Sequence, residues 1–407
     1  MLHGFKRCHK KALLAIILLL HTTLLSGCWG HNELSELSLV VATAIDKTDD
    51  DRYQITVMAV VPSGSSVQQS DKSTVWIGSA VGDSIMDASK NLRKTATKKL
   101  SWLQNDLLII GEKAARSGID EVMDFILRNR EIRLSTKVIV SEGNASAIFN
   151  IPADIERNLY TELKGMIDNT KEWSKGYTPD LNEFLNTYTC KYSGNVAGRI
   201  NFIEITNKTF STRKESVPQP EVSSQKTVEL SGSSVFRKDK LIGFMDDDET
   251  RGYLWIVGKA ETGAVVVTDP RGKHMLTMET HKAQSKIITE FVDGKPSVTV
   301  KLNLKGTLVE CSGKIDFIDN KSVKNIEDII AKQIETEMRT AVRKAQKDYK
   351  LDIFDFGSEF YRYKPAVWRE IKEDWNETFP DMEVKYDVKV ILNDIGEIQN
   401  SITGGER

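Results

Sequence analysis

The sequence predicts a mixed α/β protein, of α+β type, that contains more than one domain. Short apolar runs rich in β-branched residues, such as residues 39–45 and 107–111, are typical of buried strands. Amphipathic stretches with helical spacing lie between such runs, and the first begins at Ile85. Strands that alternate with helices favour layered, mixed sheets. The 407 residues suffice for two or three domains of about 100–200 residues each.

In the first half of the chain, segments with the pattern of strands alternate with segments that have the apolar spacing of helices. Residues 39–45 predict a strand that ends in a polar turn, and residues 53–61 predict its hairpin partner. Further strands are predicted at residues 75–80, 107–111 and 134–141, and helices at residues 85–96, 119–127 and 155–173. Gly165 is a possible break in the last of these helices. Residues 208–226 are polar, contain two prolines and form the best linker candidate.

The second half predicts two hairpins and the longest helix. Residues 228–236 and 241–245 flank a polar turn, and Asp293-Gly294 predicts a tight turn between residues 286–291 and 297–304. We interpret the apolar run 251–257 as a strand or a short buried segment. Further strands are predicted at residues 265–267 and 383–392. Apolar residues recur at helical spacing from Ile326 to Tyr349, which predicts a helix of more than 20 residues.

The N-terminus has the layout of a secretory signal peptide. Four basic residues, Lys6, Arg7, Lys10 and Lys11, precede a short apolar run at residues 12–20. A helix needs about 20 apolar residues to span a bilayer, so this run is short for a comfortable span. Residues 25–28 (LSGC) resemble the lipobox of bacterial lipoproteins, which implies lipidation of Cys28 and removal of residues 1–27. The alternatives are an ordinary signal peptide with an incidental cysteine, or an uncleaved anchor.

Lipidation has consequences for location and charge. A diacylglyceryl group supplies the two chains that stable anchoring usually takes, so the mature chain is expected on the outer face of a membrane. Removing the leader takes away four basic residues and no acid, which lowers the formal net charge from −2 to −6. A mildly acidic chain lacks the electrostatic footprint of a nucleic-acid-binding protein. Cys190 and Cys311 remain besides Cys28, which is too few cysteines for a disulfide framework.

No catalytic constellation stands out, and we expect no enzyme, no cofactor and no metal. His274, Glu279 and His281 do not follow the three- or four-residue spacing of ligands on a helix. The acidic residues 246–249 lack the alternating ligands and central glycine of a calcium loop, which favours a solvated turn. Phosphate-binding glycine loops and the Gly-x-Ser-x-Gly elbow are also absent from the sequence.

Two surface features have alternative interpretations. A group of basic residues follows Ile85 and forms either a contact surface or a solvated helix face: Lys90, Arg93, Lys94, Lys98 and Lys99. The charges do not form an unbroken block, which favours the solvated face. Trp368 and Trp375 lie seven residues apart and would share one face of a helix. They mark a membrane- or partner-facing surface or, as we favour, pack against the adjoining strand.

Segments along nearly the whole chain resemble the C-subunit lipoproteins of spore germinant receptors, the Ger(x)C family. The N-terminal segments are residues 25–29 (LSGCW), 33–37 (ELSEL), 44–47 (AIDK), 109–112 (IIGE) and 124–128 (DFILR), with Arg133. The later ones are residues 235–243 (VFRKDKLIG), 249–252 (ETRG), 345–354 (AQKDYKLDIF) and 368–375. Gly30-His31 departs from the charged pair or acid that is common in relatives, next to an intact Cys28.

The resemblance implies three α/β domains with mixed sheets and a lipid anchor. We divide the chain into a cleaved leader (1–27), an N-terminal α/β domain (28–207), a middle domain with a linker (208–275) and a C-terminal α/β domain with the long helix (276–407). The only site residue that the resemblance transfers is Cys28, as an S-diacylglycerol, N-acyl cysteine. The family has no catalytic residues.

The resemblance also implies a function. Such lipoproteins act with two integral membrane subunits, of A and B types, in the spore inner membrane, and the receptor triggers germination in response to amino acids or sugars. Whether the C subunit itself binds the nutrient is left open. The alternative is a free-standing, lipid-anchored solute-binding protein. A surface hydrolase would need a cluster of polar side chains in a pocket, and the sequence gives no sign of one.

Overall fold

The structure is a computed structural model that describes residues 36–60, 75–205, 225–268, 275–312 and 320–394. It contains two mixed sheets, one of nine strands and one of four, with helices packed against both. The predicted mixed α/β class with several layers is therefore confirmed. Cys28, His274 and most of the predicted linker at residues 208–226 lie outside the described residues.

The nine-stranded sheet has the order β3-β2-β1-β5-β6-β7-β8-β9, with β4 paired to β1 beside β5. Its strands are β1 (Leu37–Lys47), β2 (Tyr53–Val60), β3 (Val75–Gly82), β4 (Lys99–Ser101), β5 (Leu107–Gly111), β6 (Lys137–Ser141), β7 (Asn195–Ile205), β8 (Gln225–Arg237) and β9 (Lys240–Met245). The strands are parallel in the centre, from β1 through β5 and β6 to β7, and antiparallel at both edges.

Helices cover both faces of this sheet. They are α1 (Ile85–Asn91), α2 (Glu112–Ser117), α3 (Asp120–Arg128), α4 (Leu159–Trp173) and α5 (Leu181–Tyr188). Successive residues of β5 point to opposite faces: Leu108 and Ile110 pack with α1, α2, α3 and α5, whereas Leu107 and Ile109 pack with α4 and a 3₁₀ turn at Ala145–Asn150. A strand buried on both faces is hydrophobic at every position, which is why residues 107–111 form an unbroken apolar run.

The four-stranded sheet has the order β10-β11-β12-β13. Its strands are β10 (Gly263–Thr268), β11 (Met275–Val292), β12 (Lys295–Cys311) and β13 (Glu383–Asp394). The turn between β11 and β12 places Asp293 and Gly294 at φ 51° and 76°, the left-handed pair that a tight hairpin requires. The final strand β13 pairs in parallel with β12.

The predicted long helix lies on this second sheet. It is α7 (Asn320–Arg343), continued by a π-helical turn at Lys344–Tyr349. The apolar stripe through Ile330, Ile334 and Met338 is buried in a core that includes Val300 and Leu302 of β12. Three short helices then precede β13: α8 (Phe356–Tyr363), α9 (Pro365–Ile371) and α10 (Trp375–Thr378).

One of the two interpretations of residues 251–257 is wrong. These residues do not form a strand; they are a buried segment, as the other interpretation predicts, and form the body of helix α6 (Asp247–Val257). Helix α6 is buried on nearly all sides between β8 and α7, so its apolar run lacks the polar face that reveals a helix. The helix predicted from residue 155 begins at Leu159, where Asn158 caps it, and continues through Gly165 without a break.

The nine-stranded sheet extends across the position predicted as a domain boundary. Strand β7 precedes residue 208 and strand β8 follows it, yet the two pair in register from Asn195 with Phe236 to Ile205 with Gln225. Residues of the predicted middle domain thus complete the sheet that the predicted N-terminal domain begins. The division of the chain into three domains stays a prediction.

Candidate functional site

The predicted lipid-attachment residue precedes the described fold by a short stretch. Cys28 lies outside the described residues, and strand β1 begins at Leu37, nine residues later. The first three residues of β1 pair in parallel with β4, from Leu37 with Lys99 to Leu39 with Ser101. The part of the fold nearest to Cys28 along the chain is therefore the β1–β4 pair.

Two of the segments that carry the family resemblance meet at one buried carboxylate. Asp46, at the end of β1, accepts hydrogen bonds from the backbone amides of Ala145 (2.7 Å) and Ser146 (2.8 Å). Its Oδ1 would lie 2.0 Å from a Cβ atom added at Gly111, so only glycine leaves room for it. Asp46 thus satisfies the free amides at the start of the 3₁₀ turn Ala145–Asn150. The AIDK and IIGE segments act together as a structural contact.

A third resembling segment, residues 249–252, lies at the N-terminus of α6. Asp246 caps the helix by accepting from the Glu249 amide at 2.8 Å, and the Glu249 side chain accepts from the Asp246 amide at 3.0 Å. This reciprocal capping box corrects the expectation of a solvated turn at residues 246–249. Ser233 of β8 and Thr250 share a buried hydrogen bond of 2.8 Å between their hydroxyls.

The same segment contains half of a buried ion pair that joins α6 to α7. The Arg251 guanidinium donates to both carboxylate oxygens of Glu337, at 2.8 and 2.5 Å. It also donates to the carbonyl oxygen of Ala264 at 3.0 Å, and the Trp255 indole donates to Glu337 at 3.0 Å. Arg251 and Glu337 are only 6% and 3% exposed, so each charge depends on the other for compensation.

The resembling segment at residues 345–354 connects the second sheet to the first. The Tyr349 hydroxyl donates to the carbonyl oxygen of Phe244 in β9 at 2.7 Å, and the Tyr349 carbonyl oxygen accepts from the Arg237 guanidinium of β8. The Asp352 carbonyl oxygen accepts from the Gly194 amide at 2.7 Å, immediately before β7. This segment therefore holds the two sheets against each other.

The Asp352 side chain is a buried carboxyl in the same segment. It accepts from the amides of Phe354 (3.0 Å) and Gly357 (2.9 Å) and from the Trp375 indole (3.2 Å). Burial disfavours its charged form more than these donors favour it, which raises the pKa of Asp352 to about 7. Its hydrogen bonds fix the start of α8 against α10.

A polar cleft of about 420 Å³ opens between α4, α5 and α6. Lys259 donates to the Tyr177 hydroxyl at 2.6 Å and forms an ion pair of 3.3 Å with Glu183. Burial, together with nearby carboxylates, raises the pKa of Tyr177 above its ordinary value, so the phenol stays neutral. The buried Thr178 hydroxyl beside it has no hydrogen-bond partner among the described residues. The cleft contains cations and carboxylates side by side.

The two surface features predicted from the sequence have different outcomes. Lys90, Arg93, Lys94 and Lys99 are exposed, as a solvated face requires. The predicted burial of Trp368 and Trp375 is confirmed, but they lie on separate helices, α9 and α10, and their packing against the adjoining strand stays a prediction. Their rings touch at a centroid distance of 5.3 Å, and further aromatic contacts involve Tyr192, Phe360 and Phe379.

The remaining candidates do not converge on a reactive site within the described chain. His281 is exposed and shares a hydrogen bond of 2.7 Å with Thr307 on the neighbouring strand. Cys190 and Cys311 are not joined in a disulfide. Over the described ranges, no group of three or more His, Cys, Asp and Glu side chains is placed to hold a metal ion.

Glu337 was not identified from the sequence, and Arg251 and Asp352 were identified only as parts of the longer resembling segments 249–252 and 345–354. Glu337 carries a signal, because it lies three residues after Ile334 and therefore on the buried stripe of the long helix. A charge on such a stripe needs a partner. Asp246 and Glu249 carry another signal, the three-residue spacing of a capping box. The pairing of Arg251 with Glu337 spans 86 positions and has no local signal.

Comparisons with known proteins agree over nearly the whole length of the chain. A family model described as "Spore germination protein N-terminal domain" matches residues 30–197, and one described as "Spore germination B3/ GerAC like, C-terminal" matches residues 231–396. None of the described helices combines the length and apolarity that a membrane crossing requires.

Two of the similar proteins are germination proteins of Bacillus subtilis (strain 168). Spore germination protein KC is 24% identical over 97% of this chain and 98% of its own, and spore germination protein B3 is 25% identical over 92% and 95%. The crystal structure of the GerBC protein aligns with a TM-score of 0.54 and 19% identity, over 86% of this chain and 96% of that one, and so shares its fold. Together, the two family models cover most of the sequence, and the chain belongs to the GerAC-like, or Ger(x)C, family of spore germination proteins.

Proposed function

We propose that this chain is the lipid-anchored C subunit of a nutrient germinant receptor in the spore inner membrane. In this function it acts with two integral membrane subunits and catalyses no reaction. The observation that carries the proposal is the match of both family models along the chain. The lipobox-like residues 25–28 provide the means of attachment.

The proposed lipid anchor determines where the folded part of the chain lies relative to the membrane. Cys28, once lipidated, carries a diacylglyceryl group whose two chains give stable membrane attachment. The polypeptide after it stays in the aqueous phase next to the membrane, within reach of partner subunits. A tethered partner binds at a high effective concentration, so a modest contact surface is sufficient for assembly.

The buried charged groups support a structural role. Arg251 and Glu337 bind each other, and Asp46 and Asp352 bind backbone amides. Each of these side chains is almost fully buried, at 6% exposure or less, and therefore away from any substrate in solution. Their contacts explain on structural grounds why three of the resembling segments contain Asp46, Arg251 and Asp352.

Affinity purification from native spore membranes tests the proposal. We expect two integral membrane proteins to copurify with the tagged wild-type chain and with a Cys190→Ala control, because both retain Cys28. A Cys28→Ala variant is expected to lose both partners and to germinate poorly with nutrients. A wild-type chain that purifies without membrane partners, or a normal nutrient response of the Cys28→Ala strain, would contradict the proposal.

The polar cleft favours a second candidate, a lipoprotein that captures a solute by itself. Its volume of about 420 Å³ suits a small molecule, and Lys259, Glu183 and the Thr178 hydroxyl are groups that bind polar solutes. Calorimetry of the full chain in detergent against amino acids and sugars separates the two candidates. Stoichiometric binding that a Lys259→Met variant loses supports the second candidate, and no heat with the purified chain supports the receptor subunit.

A further inference from the structure

A concentrated basic segment lies on the surface of the first sheet. We define it as Lys90, Arg93, Lys94, Lys98 and Lys99, at the end of α1 and the start of β4. Lys90, Arg93 and Lys94 follow helical spacing of three and four residues, which places them on one face. Four of the five side chains are exposed, and Lys98 is half-buried.

The charge of the basic segment is not balanced locally. Asp87 is the only acidic residue between positions 85 and 103. Within the described ranges, none of the five cations forms an ion pair or a side-chain hydrogen bond. Surface cations elsewhere are paired, for example Lys113 with Asp49 at 2.9 Å and Lys347 with Asp381 at 2.8 Å. Among the described residues, no partner competes with an external anion for the cations of the basic segment.

The position of the basic segment in the fold links it to the anchor. Strand β4 begins at Lys99, which pairs with Leu37, and Leu37 is nine residues from Cys28. Nine residues extend to at most about 30 Å. A lipid on Cys28 therefore keeps Lys99 and its neighbours within about four Debye lengths of the membrane at physiological salt, and closer whenever the tether is not fully extended.

A small cleft beside the basic segment has the chemistry of a membrane interface. Its volume is about 280 Å³, and it is lined by Ser38, Val75, Trp76, Leu100 and the run Ala96 to Lys98. Trp76 is half-buried against the core of the first sheet, and tryptophan is enriched at the level of lipid headgroups. The half-buried Lys98 lines the same cleft. An indole beside a lysine suits a phosphate headgroup above acyl chains.

We infer that the basic segment docks on anionic phospholipid headgroups of the membrane that holds the anchor. This inference rests on the proposed function, because lipidation of Cys28 brings the segment to the membrane. Each lysine or arginine near an anionic surface strengthens attachment by about fivefold, and a polybasic patch is an established second membrane signal. The contact turns one end of the β1–β4 pair towards the lipid and fixes the orientation of the folded body.

Lysine acetylation followed by mass spectrometry tests the inference on the full, lipidated chain. The chain is reconstituted on phosphatidylcholine vesicles with or without phosphatidylglycerol. We expect Lys90, Lys94, Lys98 and Lys99 to be protected only where phosphatidylglycerol is present, and to lose protection at about 1 M salt, where the Debye length falls to about 3 Å. Exposed Lys295 and Lys389, on the second sheet, are expected to react equally on both vesicles.

A matched pair of variants supplies the control for folding and net charge. One variant changes Lys90, Lys94, Lys98 and Lys99 to Gln, and the other changes the exposed lysines of the second sheet, Lys286, Lys295, Lys305 and Lys389, to Gln. Only the first is expected to leave Trp76 fluorescence insensitive to phosphatidylglycerol. Equal acetylation on both vesicles overturns the inference if Cys28 carries its lipid. An unmodified Cys28 overturns the proposed anchoring instead, so the two failures are distinguishable.

Discussion

Removal of the Glu337 carboxylate is expected to lower the free energy of unfolding strongly. Replacing Glu337 with Ala leaves the Arg251 guanidinium buried without a counter-charge and the Trp255 indole without its acceptor. Breaking one side of a buried ion pair typically costs about 3–5 kcal/mol. We expect a loss of that size in the free energy of unfolding of Glu337→Ala, measured by urea denaturation.

Two further variants distinguish the contribution of the buried ion pair to stability from that of helix α7, which contains Glu337. Glu335 lies two residues earlier on α7 and pairs with Arg339 at the surface, so Glu335→Ala should cost less than about 1 kcal/mol. Replacing Arg251 and Glu337 together with Met should recover much of the loss, since no charge is then left unpaired. A Glu337→Ala variant as stable as Glu335→Ala would show that the buried pair does not hold α6 to α7.

Asp352 makes the stability of the protein depend on pH in a defined direction. Its pKa is about 7 in the folded chain, above the ordinary value of 3.8. Between these values the folded state binds more protons than the unfolded state, so the stabilising contribution present below pH 3.8 is lost as the pH rises through 7. We expect Asp352→Asn to reduce the fall in unfolding free energy between pH 4.5 and 8, measured by denaturation at both values.

The exposed Asp387 of β13 provides the matched control for this prediction. Asp387→Asn removes the same charge from the same half of the chain without a buried carboxyl, and its pH profile should follow the wild type. A wild-type pH dependence in Asp352→Asn would mean that the carboxyl is charged throughout and that its donors outweigh its burial.

The relation between sequence and structure differs among these residues. Glu337 could be identified as a buried charge from its place on the stripe through Ile334 and Met338. Its partner could not, because Arg251 lies in another helix and the contact depends on how the two helices cross. Asp352 accepts from two amides close to it in sequence, those of Phe354 and Gly357. Its burial had no signal, since its third donor, the Trp375 indole, reaches it only when α8 and α10 fold against each other.

At the scale of elements, Gly252 sets the distance between α6 and α7. A Cβ atom at this position would lie 2.2 Å from the carbonyl oxygen of Glu337 and 2.9 Å from the Cβ of Ala341. Gly252→Ala therefore has to push the helices apart. We expect it to destabilise the fold by about 1–3 kcal/mol, measured by thermal or chemical denaturation.

A substitution at Gly165 of α4 is the control that separates this packing effect from the effect of helix propensity. A Cβ atom there meets nothing within 4 Å, and Ala is favoured over Gly inside helices by about 1 kcal/mol. Gly165→Ala should therefore stabilise the protein or leave it unchanged. If Gly252→Ala had the same effect as Gly165→Ala, the close approach of α6 and α7 would not be a constraint.

Local elements were predictable and long-range pairing was not. The β8–β9 and β11–β12 hairpins follow from alternation and from turn residues such as Asp293-Gly294. The long helix α7 follows from its stripe. The parallel pairing of β12 with β13 joins Val300 to Tyr386 across two helical regions, and only tertiary packing decides it. Helix α6 was mistaken because burial on all sides removes the amphipathic period.

At the scale of the whole molecule, the resembling segments mark the contacts that join the parts of the fold. Residues 44–47 and 109–112 meet at Asp46, residues 249–252 bind α7, and residues 345–354 reach from α7 back to the first sheet. The family resemblance in these segments therefore reflects contacts that hold the fold together. The resemblance at residues 25–29 reflects the proposed lipid attachment. In the proposed function, the body of two sheets is attached to the membrane through Cys28, nine residues before β1.

Mass spectrometry of the N-terminal peptide of the protein from native spore membranes tests this attachment most directly. The account predicts a peptide that begins at Cys28 and carries a diacylglyceryl thioether, together with an N-acyl group. A peptide that still begins at Met1, or an unmodified Cys28 on protein found in the aqueous fraction, would contradict the account.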